Sequence, residues 1–257
     1  MLATPNVDDT RSMDTRLDEI ADGIYRISTF FPALVAPHGL TINQFVVLAD
    51  EPLLFHTGMR AMFPSLVASV KRVVPVERLR WVSFGHLEAD ECGAMNLVLA
   101  VASHAEVAIG EAGWLGSIDD LADRPVHHLA AGDKLDLGGR QVRQVPTPHA
   151  PHNTEAQVLF EETTGTLLCG DLFGQVGRGP ATTTSDLVAA ALDSETVFPS
   201  ASPGPAVPNA LRDLAQYEPR TLATMHGIAY EGDGAAALVA LADGWEARFG
   251  PRGKASA

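Results

Sequence analysis

Residues 81–91 read Trp81-Val82-Ser83-Phe84-Gly85-His86-Leu87-Glu88-Ala89-Asp90-Glu91, an apolar run and a glycine followed by four potential metal ligands in six residues. A short apolar run of this kind reads as a buried strand. The glycine at its end releases His86, Glu88 and Asp90 into a loop, where side chains at alternate positions can converge on one cleft without competing with backbone pairing. Imidazole beside carboxylate at that density suits a divalent metal. A solvated acidic turn with one stray histidine would carry the same letters, so residues elsewhere in the chain decide between the two.

Working outward, the chain becomes an alternation of strands and helices. Residues 23–27 alternate like a strand, and residues 41–48 and 52–56 read as two strands joined by the turn Ala49-Asp50-Glu51. Phe63, Leu66, Val67, Val70 and Val73 recur at helical spacing before the buried strand that precedes His86. A helix over 94–102, a strand over 106–109 and a short helix over 118–121 continue the pattern. A hairpin over 134–145 turns at Gly138-Gly139, and a second pairs 157–160 with 166–169. Amphipathic helices are expected over 211–217 and 235–249, around a strand at 221–225. Residues 198–208, with four prolines, read as a surface connection. Two β-rich halves with outer helices predict an α/β (α+β) fold packed as a four-layer αββα sandwich.

Composition narrows the partners. Of 257 residues, 18 are Lys or Arg and 32 are Asp or Glu, a formal charge of −14 that opposes binding to nucleic acid or an anionic membrane. The two cysteines, Cys92 and Cys169, form no C-x-x-C pair, so neither a disulfide framework nor a thiolate zinc cluster is expected, and both read as packing residues. Residues 1–18 form a polar leader without the basic and apolar regions of a signal peptide. No stretch has the apolar length of a membrane span. A cytoplasmic location is the expectation.

Three further segments place metal-ligand types just after apolar strand candidates: Pro148-His149-Ala150-Pro151-His152, Gly170-Asp171 and Met225-His226-Gly227. One polar residue at a strand end is ordinary. Four at successive strand ends, all of types that bind hard or borderline cations, argue for one shared cleft.

With these residues in view the chain resembles the metallo-β-lactamase superfamily and, within it, the flavodiiron proteins and their stand-alone oxygen-binding di-iron relatives. Members carry H-x-E-x-D-H, then a single His, an Asp nineteen residues later, and a His near the C-terminal end of the domain. The matching residues are His86, Glu88 and Asp90, then His152 and Asp171 nineteen residues apart, then His226. The phrase Gly170-Asp171-Leu172-Phe173-Gly174-Gln175 also resembles the flavodiiron sequence around its bridging aspartate. The resemblance runs from about residue 20 to 247 and implies one metallo-β-lactamase-like domain over 19–250, followed by a flexible tail at 251–257. It further implies two metal ions per chain, the first on His86, Glu88 and His152, the second on Asp90 and His226, with Asp171 bridging. Asp90 and Asp171 would be the catalytic carboxylates.

Two positions depart from the pattern. The family's second His of the first motif is Glu91, which would complete the second metal or support the ligands from behind. The strand end that carries a structural Asp in the superfamily carries His56. Thr147-Pro148-His149 also resembles the superfamily's T-P-G-H segment, so His149 competes with His152; the spacing to Asp171 favours His152. Of the remaining histidines, His38 is the one that could line the cleft; His56, His104, His127 and His128 read as structural or surface residues.

Zinc hydrolases of the superfamily carry H-x-H-x-D-H. Glu88 in place of the second His moves the site toward oxygen-rich ligation and hence toward iron, with manganese or zinc as alternatives. The implied function is binding or reduction of dioxygen or nitric oxide. No glycine-rich phosphate loop follows at a strand-to-helix junction, so no flavin domain is expected in this chain and electrons would come from a separate donor protein. The alternative is a hydrolase of an ester, thioester, lactone or phosphodiester, using a metal-bridging hydroxide oriented by Asp90. A third reading is a sensor or scaffold with a structural metal. The relatives imply a homodimer. The loop over 174–184 and the prolines near Pro203 could shape the entrance.

Overall fold

Side chains in the strand pair over residues 40–55 alternate between two cores. Val46 and Leu54 join an apolar cluster with Leu66, Val70, Met95 and Val98. Phe45, Val47, Leu53 and Phe55 join another with Leu135, Val142, Leu159 and Leu168 from the second half of the chain. Successive side chains of a strand point to opposite faces, and the partners on each face, helix residues on one and strand residues of the second half on the other, put this sheet between a helix layer and a second sheet. The computed structural model, which describes residues 14–111, 117–201 and 204–250, has this arrangement.

The first sheet contains β1 (Asp14–Ala21), β2 (Ile24–Phe31), β3 (Leu40–Val47), β4 (Leu53–Phe55), β5 (Trp81–Ser83), β6 (Glu106–Gly110) and β7 (Val126–Leu129), hydrogen-bonded in chain order. Pairing is antiparallel up to β4 and parallel from β4 to β7. The second sheet contains β8 (Lys134–Asp136), β9 (Gln141–Pro146), β10 (Gln157–Glu161), β11 (Thr166–Leu168), β12 (Thr182–Thr183), β13 (Thr221–Ala223) and β14 (Ala229–Glu231). Its order is β12-β14-β13-β11-β10-β9-β8. Among the described residues seven α-helices accompany them: α1 (Phe63–Val70), α2 (Ala89–Cys92), α3 (Met95–Val101), α4 (Ile118–Leu121), α5 (Val188–Val197), α6 (Ala206–Ala215) and α7 (Gly234–Phe249). Residues of α1, α3 and α4 pack on the outer face of the first sheet. Ala191 of α5, Leu211 and Leu214 of α6, and Leu238 and Trp245 of α7 pack on that of the second. The result is the αββα sandwich.

Strand direction places the site. β4 and β5 run parallel. β9 and β11 are both antiparallel to β10, and β11 runs parallel to β13. The carboxyl ends of β9, β11 and β13 therefore share one edge of their sheet, as those of β4 and β5 share one edge of theirs. The two edges are tied together: the Gln157 N–H donates to the Gly85 carbonyl (2.8 Å) and the Asn43 N–H to the Met225 carbonyl (2.9 Å).

Several expectations shift. β1 begins at Asp14 and pairs with β2 from that residue, so residues 14–18 belong to the sheet instead of the polar leader; Thr15 and Thr29 join hydroxyls at 3.0 Å across that pair. Helix α6 starts at Ala206, inside the stretch read as a surface connection, and carries Pro208 in its first turn. There the missing N–H costs no intrahelical bond. Helix α5 escaped the periodicity reading because only Ala191 of its ten residues is buried. Residues 1–13, the tail over 251–257 and Pro203 lie outside the described residues. Among the described residues, no helix is long and apolar enough to cross a membrane.

Candidate metal centre

His86, Glu88, His152 and Asp171 each offer one ligand atom, and these four atoms lie within 4.8 Å of one another. Each comes off a strand end. His86 and Glu88 follow β5, His152 follows β9 and Asp171 follows β11. Glu88 Oε2 lies 2.9 Å from both His86 Nε2 and His152 Nε2. The two imidazoles meet edge to face, 4.3 Å between centroids. His86 is buried, whereas the side chains of Glu88 and His152 are 47% and 28% exposed, so the cleft opens to solvent on the Glu88 side.

Asp171 turns one oxygen to each half of the cleft. Its Oδ2 is 3.9 Å from His86 Nε2 and its Oδ1 is 3.3 Å from His226 Nε2. His226 Nε2 is in turn 3.5 Å from Asp90 Oδ2. Asp90, His226 and Asp171 thus form a second group that shares Asp171 with the first. The His226 turn is stapled to the first sheet. Asn43 Nδ2 donates to the carbonyls of Thr224 (2.8 Å) and Gly227 (3.1 Å), and Arg26 Nη2 donates to the Gly227 carbonyl (2.8 Å). Gly227 has φ +89°, and a Cβ there would sit 2.5 Å from Gln175 Oε1; only glycine suits that turn.

Three further residues weighed for the site lie outside the four-residue group. Glu91, expected either on the second metal or behind the ligands, is fully buried behind His86: its Oε2 accepts from the His86 backbone N–H at 2.6 Å and its Oε1 lies 3.2 Å from His86 Nδ1. The short helix α2, begun at Glu88, turns Asp90 and Glu91 to different sides, which a loop reading of the hexapeptide does not anticipate. His149 is exposed and has φ +62°, outside the four-residue cluster that contains His152. His38 is exposed in the β2–β3 connection.

The sequence marked His56 as a departure but did not place it beside Glu91. The His56 side chain is buried, with φ +65°, against Phe55 at 4.1 Å between centroids, and its Nε2 lies 3.5 Å from Glu91 Oε1. The two departures from the family pattern are therefore neighbours in space. Departure at both positions was the one signal that could have linked them.

The electrostatics are those of interlocked imidazole–carboxylate pairs. Burial works against charge on His86, but Glu91 and then the Glu88 contact outweigh it and hold the imidazolium up to about 11. Contacts with His152 and His86 hold the Glu88 carboxyl down to about 2. Burial, against the pull of His226, raises Asp90 to about 6. For His226, burial is overcome by the Asp171 contact, and the ring titrates near 9. Asp171 is mostly buried, which works against its charge, yet His226 and His86 hold it well below the usual carboxylate range. Protons on these imidazoles supply the positive charge that the convergent carboxylates require. A divalent cation would replace them.

The residues fit such an ion. Asp171 Oδ1 is buried without an aligned hydrogen-bond partner, and convergent imidazole nitrogens and carboxylate oxygens are donors for borderline and hard cations. His152 Nδ1 and His226 Nδ1 are each turned onto a backbone carbonyl, that of Ser200 at 3.0 Å and that of Thr41 at 2.9 Å. Their Nε2 atoms are left for the cleft, as metal-binding imidazoles require.

Residues 40–227 match the family described as "ODP family beta lactamase". The type A flavoprotein of Rhodobacter capsulatus is 25% identical over 167 residues, 60% of this chain and 38% of that protein. A hydroxyacylglutathione hydrolase of Acidiphilium cryptum is 30% identical over 177 residues, 64% of this chain and 69% of that protein. The chain spans between 24% and 43% of the length of the curated flavodiiron-type relatives it matches. In fold it is similar to the rubredoxin oxygen:oxidoreductase of the anaerobe Desulfovibrio gigas, with a TM-score of 0.76 at 21% identity over 89% of this chain and 62% of that one.

Proposed function

The chain belongs to the ODP family of beta-lactamase-fold domains, and from that premise we propose that it is a binuclear iron protein that binds or reduces dioxygen or nitric oxide. Asp171 carries the reading, because its two oxygens face two separate His-and-carboxylate groups. His86, Glu88 and His152 would hold one ion, Asp90 and His226 the other, with Asp171 between them. Bound iron supplies one-electron chemistry and open positions for a diatomic gas. The chain's own residues set the conditions for it. Glu88, Asp90 and Asp171 neutralise most of the charge of two divalent ions and favour the more oxidised state, and Glu88 supplies the oxygen donor that suits iron over zinc. The buried side of the cleft, at His86 and Asp171, excludes water, while the exposed edge at Glu88 and His152 admits a small molecule.

Electrons would come from a separate donor protein, approaching at the exposed edge of Glu88 and His152. The homodimer implied by the relatives belongs to the same reading and is checked by analytical ultracentrifugation. The test of activity is direct: chemically reduced, iron-loaded protein should consume dioxygen or nitric oxide, and the Glu88→Ala variant should not. Failure of the loaded protein either to bind or to consume these gases overturns the proposal.

A second reading is a thioester hydrolase, favoured by the 30% identity to the hydroxyacylglutathione hydrolase. Asp90 would then orient the nucleophile. Turnover of an S-acyl glutathione by zinc-loaded protein, without gas consumption by the iron form, would select it.

A further inference from the structure

The three cleft histidines are not anchored alike. His152 and His226 present Nδ1 to neutral backbone carbonyls, whereas His86 has Nδ1 3.2 Å from the buried carboxylate of Glu91. We propose that Glu91, backed by His56, is a positioning residue that fixes the tautomer and raises the donor strength of His86, so that the first metal position binds more tightly than the second. The inference rests on the bimetallic reading above.

A metal-binding imidazole is neutral and keeps one N–H. At His86 that N–H belongs on Nδ1, which faces the buried Glu91 Oε1 at 3.2 Å without an aligned hydrogen bond, and this leaves the Nε2 lone pair on the Glu88 and Asp171 side of the ring. A carboxylate acceptor at the far nitrogen increases ligand basicity. Glu91 cannot reach the second group from this position. Its other oxygen is held by the His86 N–H at 2.6 Å, and its backbone carbonyl accepts from the Thr57 N–H at 2.6 Å. Gly85 makes the room: a Cβ there would lie 2.9 Å from Glu91 Oε2. His56 closes the chain of contacts, 3.5 Å from Glu91 Oε1 on one side and 3.3 Å from the Asn43 carbonyl on the other. With Glu91 committed, the second position retains Asp90, His226 and a shared oxygen of Asp171.

The experiment is anaerobic calorimetric titration of the chelator-treated chain with Co2+, read in parallel by the visible absorption of the bound ion. The wild type should show two events of unequal affinity. Glu91→Gln should weaken the tighter event by about 10- to 100-fold, shift its absorption band and leave the weaker event in place. In a His86→Ala background, Glu91→Gln should add nothing, because the effect passes through His86. Should Glu91→Gln fail to fold, as judged by its thermal melt, His56→Gln should weaken the same event to a smaller degree. Unchanged Co2+ affinity in the folded Glu91→Gln variant, or in His56→Gln where that stands in for it, overturns the inference while leaving the bimetallic reading intact. An undiminished effect of Glu91→Gln in the His86→Ala background does the same. A wild type that takes up no Co2+ overturns both.

Discussion

The two halves of the cleft use the same residue types and differ in what holds them. The first half draws His86 and Glu88 from the β5 edge, His152 from the β9 edge and Asp171 from the β11 edge, and its four ligand atoms already lie within 4.8 Å. The second half has Asp90 and His226 at 3.5 Å and borrows Asp171. Its histidine depends on a turn stapled to the opposite sheet by Asn43 and Arg26. The first half is thus the more fully preorganised, and the second is built on contacts between the two sheets. The difference teaches that the sandwich interface is part of the site: loosening it should cost one metal before the other.

The largest effect should come from the shared residue. Asp171→Ala should lower metal affinity at both positions by more than about 100-fold, which elemental analysis after gel filtration would read as a loss of both ions. His226→Ala should leave one ion per chain, and retention of two would break the comparison. Next is Asn43→Ala, which removes the side-chain donor to the Thr224 carbonyl and leaves that of Gly227 to Arg26 alone. It should cost about 1–3 kcal/mol in chemical denaturation and weaken the second ion selectively.

The pH dependence should sharpen the same contrast. In the metal-free chain His226, raised to about 9, contributes stability that is complete below its ordinary value and lost as pH rises through 9. Asp90, raised to about 6, contributes stability that is lost as pH rises through 6. Both protons must leave before metal binds. Affinity at the second position, and the rise in Tm on adding metal, should therefore increase from pH 6 to 9, with proton release visible as a buffer-dependent heat. A flat profile would contradict the assignment of Asp90 and His226. The smallest effect belongs to His149→Ala, which should leave metal content unchanged, since that side chain is exposed and outside the four-residue cluster.

Much of this was legible because ligands at strand ends leave a local mark: an apolar run, then His, Asp or Glu, with a glycine at the turn on one side or the other. His86, Glu88, Asp171 and His226 carry that mark, and the layer order follows from the alternation around them. The placement of Glu91 was not legible. Whether it faces the cleft or the back of His86 depends on the short helix α2 and on the parallel pairing of β4 with β5, which brings His56 alongside. The same holds for β7, β12 and β14, where two to four residues, among them the paired histidines His127 and His128, leave too short a pattern to read and only pairing with neighbours defines the strand.

The most direct test of the central claim is metal analysis of protein loaded anaerobically with ferrous iron, with its absorption recorded through a cycle of oxidation and reduction. Two irons per chain and a reversible absorption change are the expected result; a chain that retains only zinc, with no spectral response to reductant, would contradict it.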